Sequence, residues 1–282
     1  MNFAVFGGDE RSVHVVGRLL RDGHSVRTYQ MERAPGVEGT VSPSPAEALA
    51  GAGCVVLPVP LSVSPGVLNA PLSDSALPLA ALWPLLPAGV PVFAGAVKPA
   101  ERAQAEEHGI VMTDLLTVEE LAVKNAALTA EGALSVLIRE TDRCLMGEPI
   151  LILGAGRIGK LLGLRLRALG AKVTVSARKD SDLAWCRALC LGAADTRELE
   201  LVLPRFSCVV NTVPSPVLSG DRLRYLPAGA LIVELASKPG GVDLSAAESL
   251  GIRVVNAGGL PGKTAPQSAA EAIVDTIYHN FK

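Results

Sequence analysis

The glycines Gly154, Gly156 and Gly159 are spaced as a phosphate-binding turn requires. They form Gly154-Ala155-Gly156-Arg157-Ile158-Gly159, which follows an apolar strand, Ile150-Leu151-Ile152-Leu153, and opens a helix. In that context Gly154 permits the tight turn, Gly156 lets a pyrophosphate reach the backbone, and Gly159 lets helix and strand pack closely. Arg157 and Ile158 open the helix, whose free N–H groups and partial positive charge face the pyrophosphate. The next strand ends Val175-Ser176-Ala177-Arg178-Lys179, where an NAD site usually carries Asp or Glu. Residues 150–179 hold seven basic side chains and no acid. Arg178 and Lys179 suit a 2'-phosphate, with Ser176 adding a hydroxyl, so the expected cofactor is NADP(H) rather than NAD(H). Arg165 and Arg167 read as the solvated face of the helix. Asn211-Thr212-Val213-Pro214 ends the fourth-strand position, either bordering the nicotinamide ribose or merely capping a turn. Ser237-Lys238-Pro239-Gly240-Gly241 puts a hydroxyl and a cation at the same sheet edge.

These residues need strands that end together. Short apolar runs at Asn2–Phe6, Ser25–Tyr29, Cys54–Leu57, Val90–Ala94 and Ile110–Met112 alternate with helical patterns at Arg11–Arg21 and Glu101–His108. A second series has strands at 150–153, 172–177, 208–212, 230–236 and 252–256, with helices at 157–169 and 182–191. The expected architecture is α/β: two doubly wound parallel-sheet, Rossmann-like domains. The expected divisions are an N-terminal substrate and catalytic domain (1–124), a bridging helix (125–145), an NADP-binding domain (146–262) and a C-terminal helix (263–282). The last helix, with Ala269, Ile273, Ile277 and Phe281 at helical spacing, is expected to pack back toward the N-terminal domain.

Composition removes other classes. The net charge of −2 argues against nucleic acid held by bulk electrostatics. Charged residues are 19% of the chain, below the usual ~25%. The deficit is local: residues 48–97 carry one charge, Asp74, and 76–97 carry none. That run reaches membrane-spanning length, but Pro78, Pro84, Pro87 and Pro91 cut it into strand and short-helix pieces, so it reads as buried core. The N-terminus lacks a basic region before its apolar residues and does not read as a signal peptide. Five cysteines without a CxxC and four scattered histidines predict no metal site and reduced thiols in a cytoplasm. His14, His24 and His108 read as surface residues.

The chain resembles the A-subunit family of dipicolinate synthase, from spore-forming bacteria. The motifs that carry this are Gly7-Gly8-Asp9-x-Arg11; Asn125 with Thr129-Ala130-Glu131-Gly132; Leu153-Gly154-x-Gly156-Arg157-x-Gly159; Ala177-Arg178; Asn211-Thr212-x-Pro214; Leu235-Ala236-Ser237-x-Pro239-Gly240-Gly241-x-Asp243; and Gly259-Leu260-Pro261-Gly262 with Ala265-Pro266. Leu128 and Gly258 stand where the family pattern has Pro, and Lys238 where it has Arg; lysine keeps the charge but lacks the planar fork. Residues 48–97 match poorly apart from Leu57-Pro58-Val59.

The resemblance implies an NADP-dependent dehydrogenase component in the mother-cell cytoplasm. It implies a partner as well, the flavoprotein-like B-subunit of dipicolinate synthase. Together they convert 4-hydroxy-tetrahydrodipicolinate, through dihydrodipicolinate, to dipicolinate during sporulation. Aromatisation drives that reaction, so the protein must orient a cyclic dicarboxylate and relay a proton. Arg11, Lys238 and Lys263 are candidate carboxylate cations, with Asp9 capping the first helix or orienting Arg11. Ser237 and Gly262 complete the candidate substrate contacts. Glu131 is the candidate general base, forming a polar helix face with Asn125 and Thr129. The backbone at 259–262 is expected near the nicotinamide, with Thr264 capping the last helix. Two other readings compete: an NADP oxidoreductase of the shikimate-dehydrogenase type, weakened because the N-terminal half shows no obvious Lys–Asp pair, and a non-catalytic NADPH-sensing module. The apolar 48–97 stretch is a candidate contact for the B-subunit or for a second copy of the chain.

Overall fold

Every strand pair in the computed structural model, which describes residues 1–281, is parallel. Parallel strands need crossovers, and the helices between them bury both sheet faces. The chain divides into two units, Met1–Asn125 with the chain from Ala265, and Ala126–Thr264. The first holds β1 (Asn2–Phe6), β2 (Ser25–Tyr29), β3 (Cys54–Val56), β4 (Val92–Ala94) and β5 (Met112–Asp114), in the order β2-β1-β3-β4-β5. The second holds β6 (Pro149–Leu153), β7 (Lys172–Ala177), β8 (Gly192–Asp195), β9 (Cys208–Asn211), β10 (Leu231–Glu234) and β11 (Arg253–Asn256), in the order β11-β10-β9-β6-β7-β8. Both are doubly wound α/β sheets; the first has the five-stranded order and the second the six-stranded order of dinucleotide-binding domains. In each, strand order reverses beside the first strand, the place where open α/β sheets generally bind ligands.

The continuous apolar strands explain the cores. β9 and β10 are buried at all four positions, and β1 and β6 at all but the first. The 48–97 stretch is core rather than an exposed interface. Leu57, Leu61, Leu68, Leu79, Leu82, Trp83 and Leu86 are buried in one cluster with Phe6 and Ala94. This corrects the expectation of an apolar docking face, although Val63 and Leu85 remain exposed. The prolines leave short helices at Leu79–Leu82 and Trp83–Leu85.

Two local departures have plain causes. β5 begins at Met112, two residues later than the apolar run suggests, because the Ile110 N–H still donates to Ala105 O behind the left-handed Gly109. β8, Gly192-Ala193-Ala194-Asp195, shows no strand pattern, since Gly and Ala have weak strand preference; its pairing with β7 makes it a strand.

Glu119–Glu140 is one 22-residue helix, long and apolar enough by length and composition to cross a membrane. Its Leu121 is buried in the first unit's core and its Ala130, Ala133, Val136 and Leu137 in the second's. The division between units falls inside it, at Asn125 and Ala126, and its bounds of 119–140 start and end earlier than the expected 125–145. The Pro266–His279 helix belongs to the first unit, where Ala270, Ile273, Val274 and Ile277 pack with Val15, Val16 and Leu19. Its N-cap is Ala265, with no side-chain cap, so Thr264 does not play that role; the Thr264 hydroxyl donates to Leu260 O at 2.9 Å.

Candidate cofactor site

The glycine turn is built as its spacing predicts. Gly154 has φ +101°, and a Cβ there would lie 2.5 Å from Thr212 Oγ1. A Cβ on Gly159 would lie 1.9 Å from Gly154 O. A Cβ on Gly156 would meet nothing within 4 Å, because the space beside it is open cleft. Gly156 caps the Arg157–Ala168 helix, and the first helical bond is Lys160 N–H to Gly156 O at 3.0 Å. The amides ahead of it face out of the helix end, as an anion site requires.

A cleft of about 670 Å³ opens on this turn. Its lining carries six basic side chains, Arg157, Lys160, Arg178, Lys179, Arg197 and Arg222, against one acid, Asp182. Asp182 pairs with Lys160 at 3.6 Å. Arg178 and Lys179 are exposed and carry no side-chain partner among the described residues. With no carboxylate at the end of β7, the cleft offers an anion the unpartnered side chains of Arg178 and Lys179 beside a helix N-terminus.

Other expected contacts are corrected. Ser176 is fully buried, and its hydroxyl accepts from Thr196 Oγ1 at 3.2 Å, so it supports the cleft floor. Asn211 is also fully buried. Its amide donates to Glu234 at 2.8 and 3.0 Å and to Val213 O at 3.0 Å, while its Oδ1 accepts from Val213 N–H. It holds the turn and does not border a ribose. Glu234, which carries no signal in the sequence, also accepts from Ala236 and Gly241 N–H at 3.0 Å, and so fixes the 236–241 loop. Thr212 Oγ1 donates to Leu153 O at 2.8 Å. Pro214 is exposed and outside the cleft wall, which Val213, Ser215, Pro216 and Val217 form. Ile158 packs on the core.

Asp9 performs both roles considered for it. It caps the Glu10–Arg21 helix by accepting from Arg11 N–H at 3.0 Å, and it grips the Arg11 guanidinium at 2.7–3.3 Å. Arg11 also donates to Val59 O, and its side chain is 14% exposed. Its guanidinium ties two strand ends together, which corrects the reading of a free carboxylate anchor.

Glu131 does not share a face with Asn125 and Thr129. Two residues turn a helix by about 200°, so Glu131 lies away from the buried Thr129, exposed and 3.8 Å from Arg165. Gly132 is the residue in register with Asn125 and Thr129, and a Cβ there would lie 2.9 Å from Leu260 Cβ and Thr264 Oγ1. Residues 260–264 form a short helix rather than a loop, so Gly262 is helical. The Lys263 ammonium donates to Gly258 O at 2.8 Å. Ser237 and Lys238 are exposed beyond β10, and Lys238 has no side-chain partner among the described residues.

The N-terminal half does hold a lysine–carboxylate pair that the sequence does not reveal. The Lys98 ammonium donates to Ser62 Oγ at 2.7 Å and lies 3.5 Å from Glu101, a buried carboxylate that also accepts from Lys98 N–H and the Ser62 hydroxyl. Glu101 closes the N-terminus of the Pro99–Glu107 helix. Among the described residues no group of three His, Cys, Asp or Glu is placed to hold a metal ion.

A glycine cradle at the switch point of a six-stranded sheet in this order defines a dinucleotide-binding protein of the dehydrogenase fold. That fold is shared with a transhydrogenase from Sinorhizobium meliloti, at 15% identity and TM-score 0.70 over 98% of this chain and 92% of that one. The particular likeness is to the A-subunit of dipicolinate synthase. The family described as the N-terminal domain of that A-subunit matches residues 2–116. The dipicolinate synthase A-subunit of Bacillus subtilis (strain 168) is 28% identical over 283 residues, covering 98% of this chain and 94% of that protein. The crystal structure of the dipicolinate synthase A chain from Bacillus subtilis superimposes with TM-score 0.88 at 26% identity, over 99% and 95% of the two chains. That of the A-subunit from Bacillus halodurans gives 0.89 at 25%, over 99% and 96%. The resemblance read from the separated motifs is thus upheld along nearly the whole chain.

Proposed function

We propose that the chain is the NADP(H)-dependent dehydrogenase component of a dipicolinate synthase. It converts dihydrodipicolinate, derived from 4-hydroxy-tetrahydrodipicolinate, to dipicolinate in the cytoplasm of a sporulating mother cell, together with a B-subunit partner. The observation that carries the cofactor assignment is the cleft at the glycine turn, with six cations, one acid and no carboxylate at the end of β7. Likeness over 98% of the chain to a protein named for this product supports the substrate.

A nicotinamide bound here supplies the hydride acceptor for a ring that becomes aromatic. The chain's own residues bind and orient. Gly156 leaves room for the pyrophosphate and Gly154 and Gly159 hold the turn; Arg178 and Lys179 take the 2'-phosphate. Ser237 and Lys238, exposed at the same sheet edge, provide a hydroxyl and a cation for a substrate carboxylate. Dissociation constants for NADPH and NADH in wild type and Arg178→Ala test the assignment. Tighter NADPH binding that Arg178→Ala abolishes supports it, and equal wild-type affinities sink it.

A further inference from the structure

We infer that Arg197 is a second phosphate-reading side chain of the cofactor cleft, acting beside Arg178 on the 2'-phosphate of the dinucleotide; this rests on the NADP(H) reading and names a further specificity-determining residue for it. Strand register brings the two together. β7 and β8 pair Ser176 with Ala194 and Ala177 with Asp195. Arg178 and Thr196 therefore leave neighbouring strands side by side, at the ~4.8 Å spacing of a sheet. The Thr196–Ser176 hydroxyl bond ties the strands beneath them. Arg197 is the next residue, and it lines the same cleft as Arg178 and Lys179.

Its guanidinium is oriented before any ligand arrives. Asp195 accepts from Arg197 Nε at 3.0 Å, from Nη2 at 2.6 Å and from the backbone N–H at 2.8 Å. Arg222 steadies the backbone by donating to Arg197 O at 3.4 Å while paired with Glu200 at 3.1 Å. Nη1 of Arg197 makes no hydrogen bond among the described residues, Asp180 and Glu198 act on the guanidinium only through space, and the side chain is 65% exposed. The first unit uses the same Asp-x-Arg clamp to a different end. There Arg11 donates onward to the Val59 carbonyl and is 14% exposed. The clamp is a local cap in both places, but Arg197 keeps an open guanidinium edge and lines a cavity that Arg178 and Lys179 also line.

A fixed planar fork matches a phosphate. The competing use of a guanidinium is to stack on the adenine, which serves NADH and NADPH alike. Fluorescence titrations with NADPH and NADH on wild type, Arg178→Ala, Arg197→Ala and Arg197→Lys separate the two. The expected result for Arg197→Ala is NADPH binding weaker by about ten- to hundredfold, with NADH within about twofold of wild type. Arg197→Lys recovers part of the loss. NADH affinity also reports that the variant is folded. Equal weakening for both cofactors overturns the inference in favour of stacking, and unchanged NADPH affinity overturns it outright. A wild type without NADPH preference sinks the underlying reading first, a result visible before any substitution is made.

Discussion

Replacing Gly156 and Gly159 separately by Ala distinguishes a glycine that makes room for a ligand from one that makes room for the fold. A methyl on Gly159 would sit 1.9 Å from Gly154 O, more than 1 Å inside the closest real approach, and that oxygen is backbone. The helix or the turn must move, and overpacking of this kind costs about 1–3 kcal/mol. Alanine returns up to ~1 kcal/mol through helix propensity. Because the obstructing oxygen is backbone and cannot swing aside, the cost lies at the upper end of the overpacking range, and the net loss is about 2–3 kcal/mol, a fall in Tm of roughly 4–12 °C. A methyl on Gly156 meets no atom within 4 Å, and φ −75°, ψ −167° is open to any residue. Losing Gly at an N-cap costs about 0.5 kcal/mol, and the stiffer unfolded chain returns a similar amount. Gly156→Ala should therefore melt within about 2 °C of wild type. On the proposed reading its methyl would occupy the pyrophosphate approach, so NADPH affinity should fall by at least about tenfold. Thermal melting by circular dichroism and fluorescence titration with NADPH measure both. Wild-type NADPH affinity in Gly156→Ala would refute the assignment of this cleft, and an unchanged Tm in Gly159→Ala would refute the contact argument.

Glu131→Gln should keep the dehydrogenation rate within a few-fold of wild type at saturating substrate, since Glu131 is exposed and off the Asn125–Thr129 face; a loss of about a hundredfold, the usual scale for a general base, would restore it as the candidate. Thiol titration should count two reactive cysteines in the native protein, Cys144 and Cys190, and five after unfolding. Burial pushes the Cys54 and Cys208 thiols up to about 12 and raises Cys186, so these three stay protonated and unreactive at pH 8. With folded values raised, the contribution of Cys54 and Cys208 to stability is complete below the unfolded thiol value of about 8.5 and is lost as pH climbs toward 12. Rapid native reaction of a third thiol at pH 8 would contradict this.

Much of the fold is legible in the sequence because its signals are local. Apolar runs such as Asn2–Phe6 and Lys172–Ala177 become strands at those residues, and the glycine spacing at 154–159 specifies a turn whose steric needs the structure bears out. What sequence does not show is nonlocal. The Asn211–Glu234 pair joins residues 23 apart across β9 and β10, and Lys98 meets Ser62 across 36. β8 is a strand only through its neighbour, which hides Arg197 at its end. Arg11 looks free in the sequence because its partner, the Val59 carbonyl, lies 48 residues away. Glu131 lies off the expected face because a two-residue step along a helix crosses to the far side.

The central claim is chemical, and one incubation tests it most directly. The purified chain, with and without the proposed B-subunit partner, is mixed with NADP+ and enzymatically generated 4-hydroxy-tetrahydrodipicolinate, and the ultraviolet band of pyridine-2,6-dicarboxylate is followed together with NADPH. Both should rise in step, and Gly156→Ala should suppress both. Absence of product under every combination would contradict the proposed dehydrogenation.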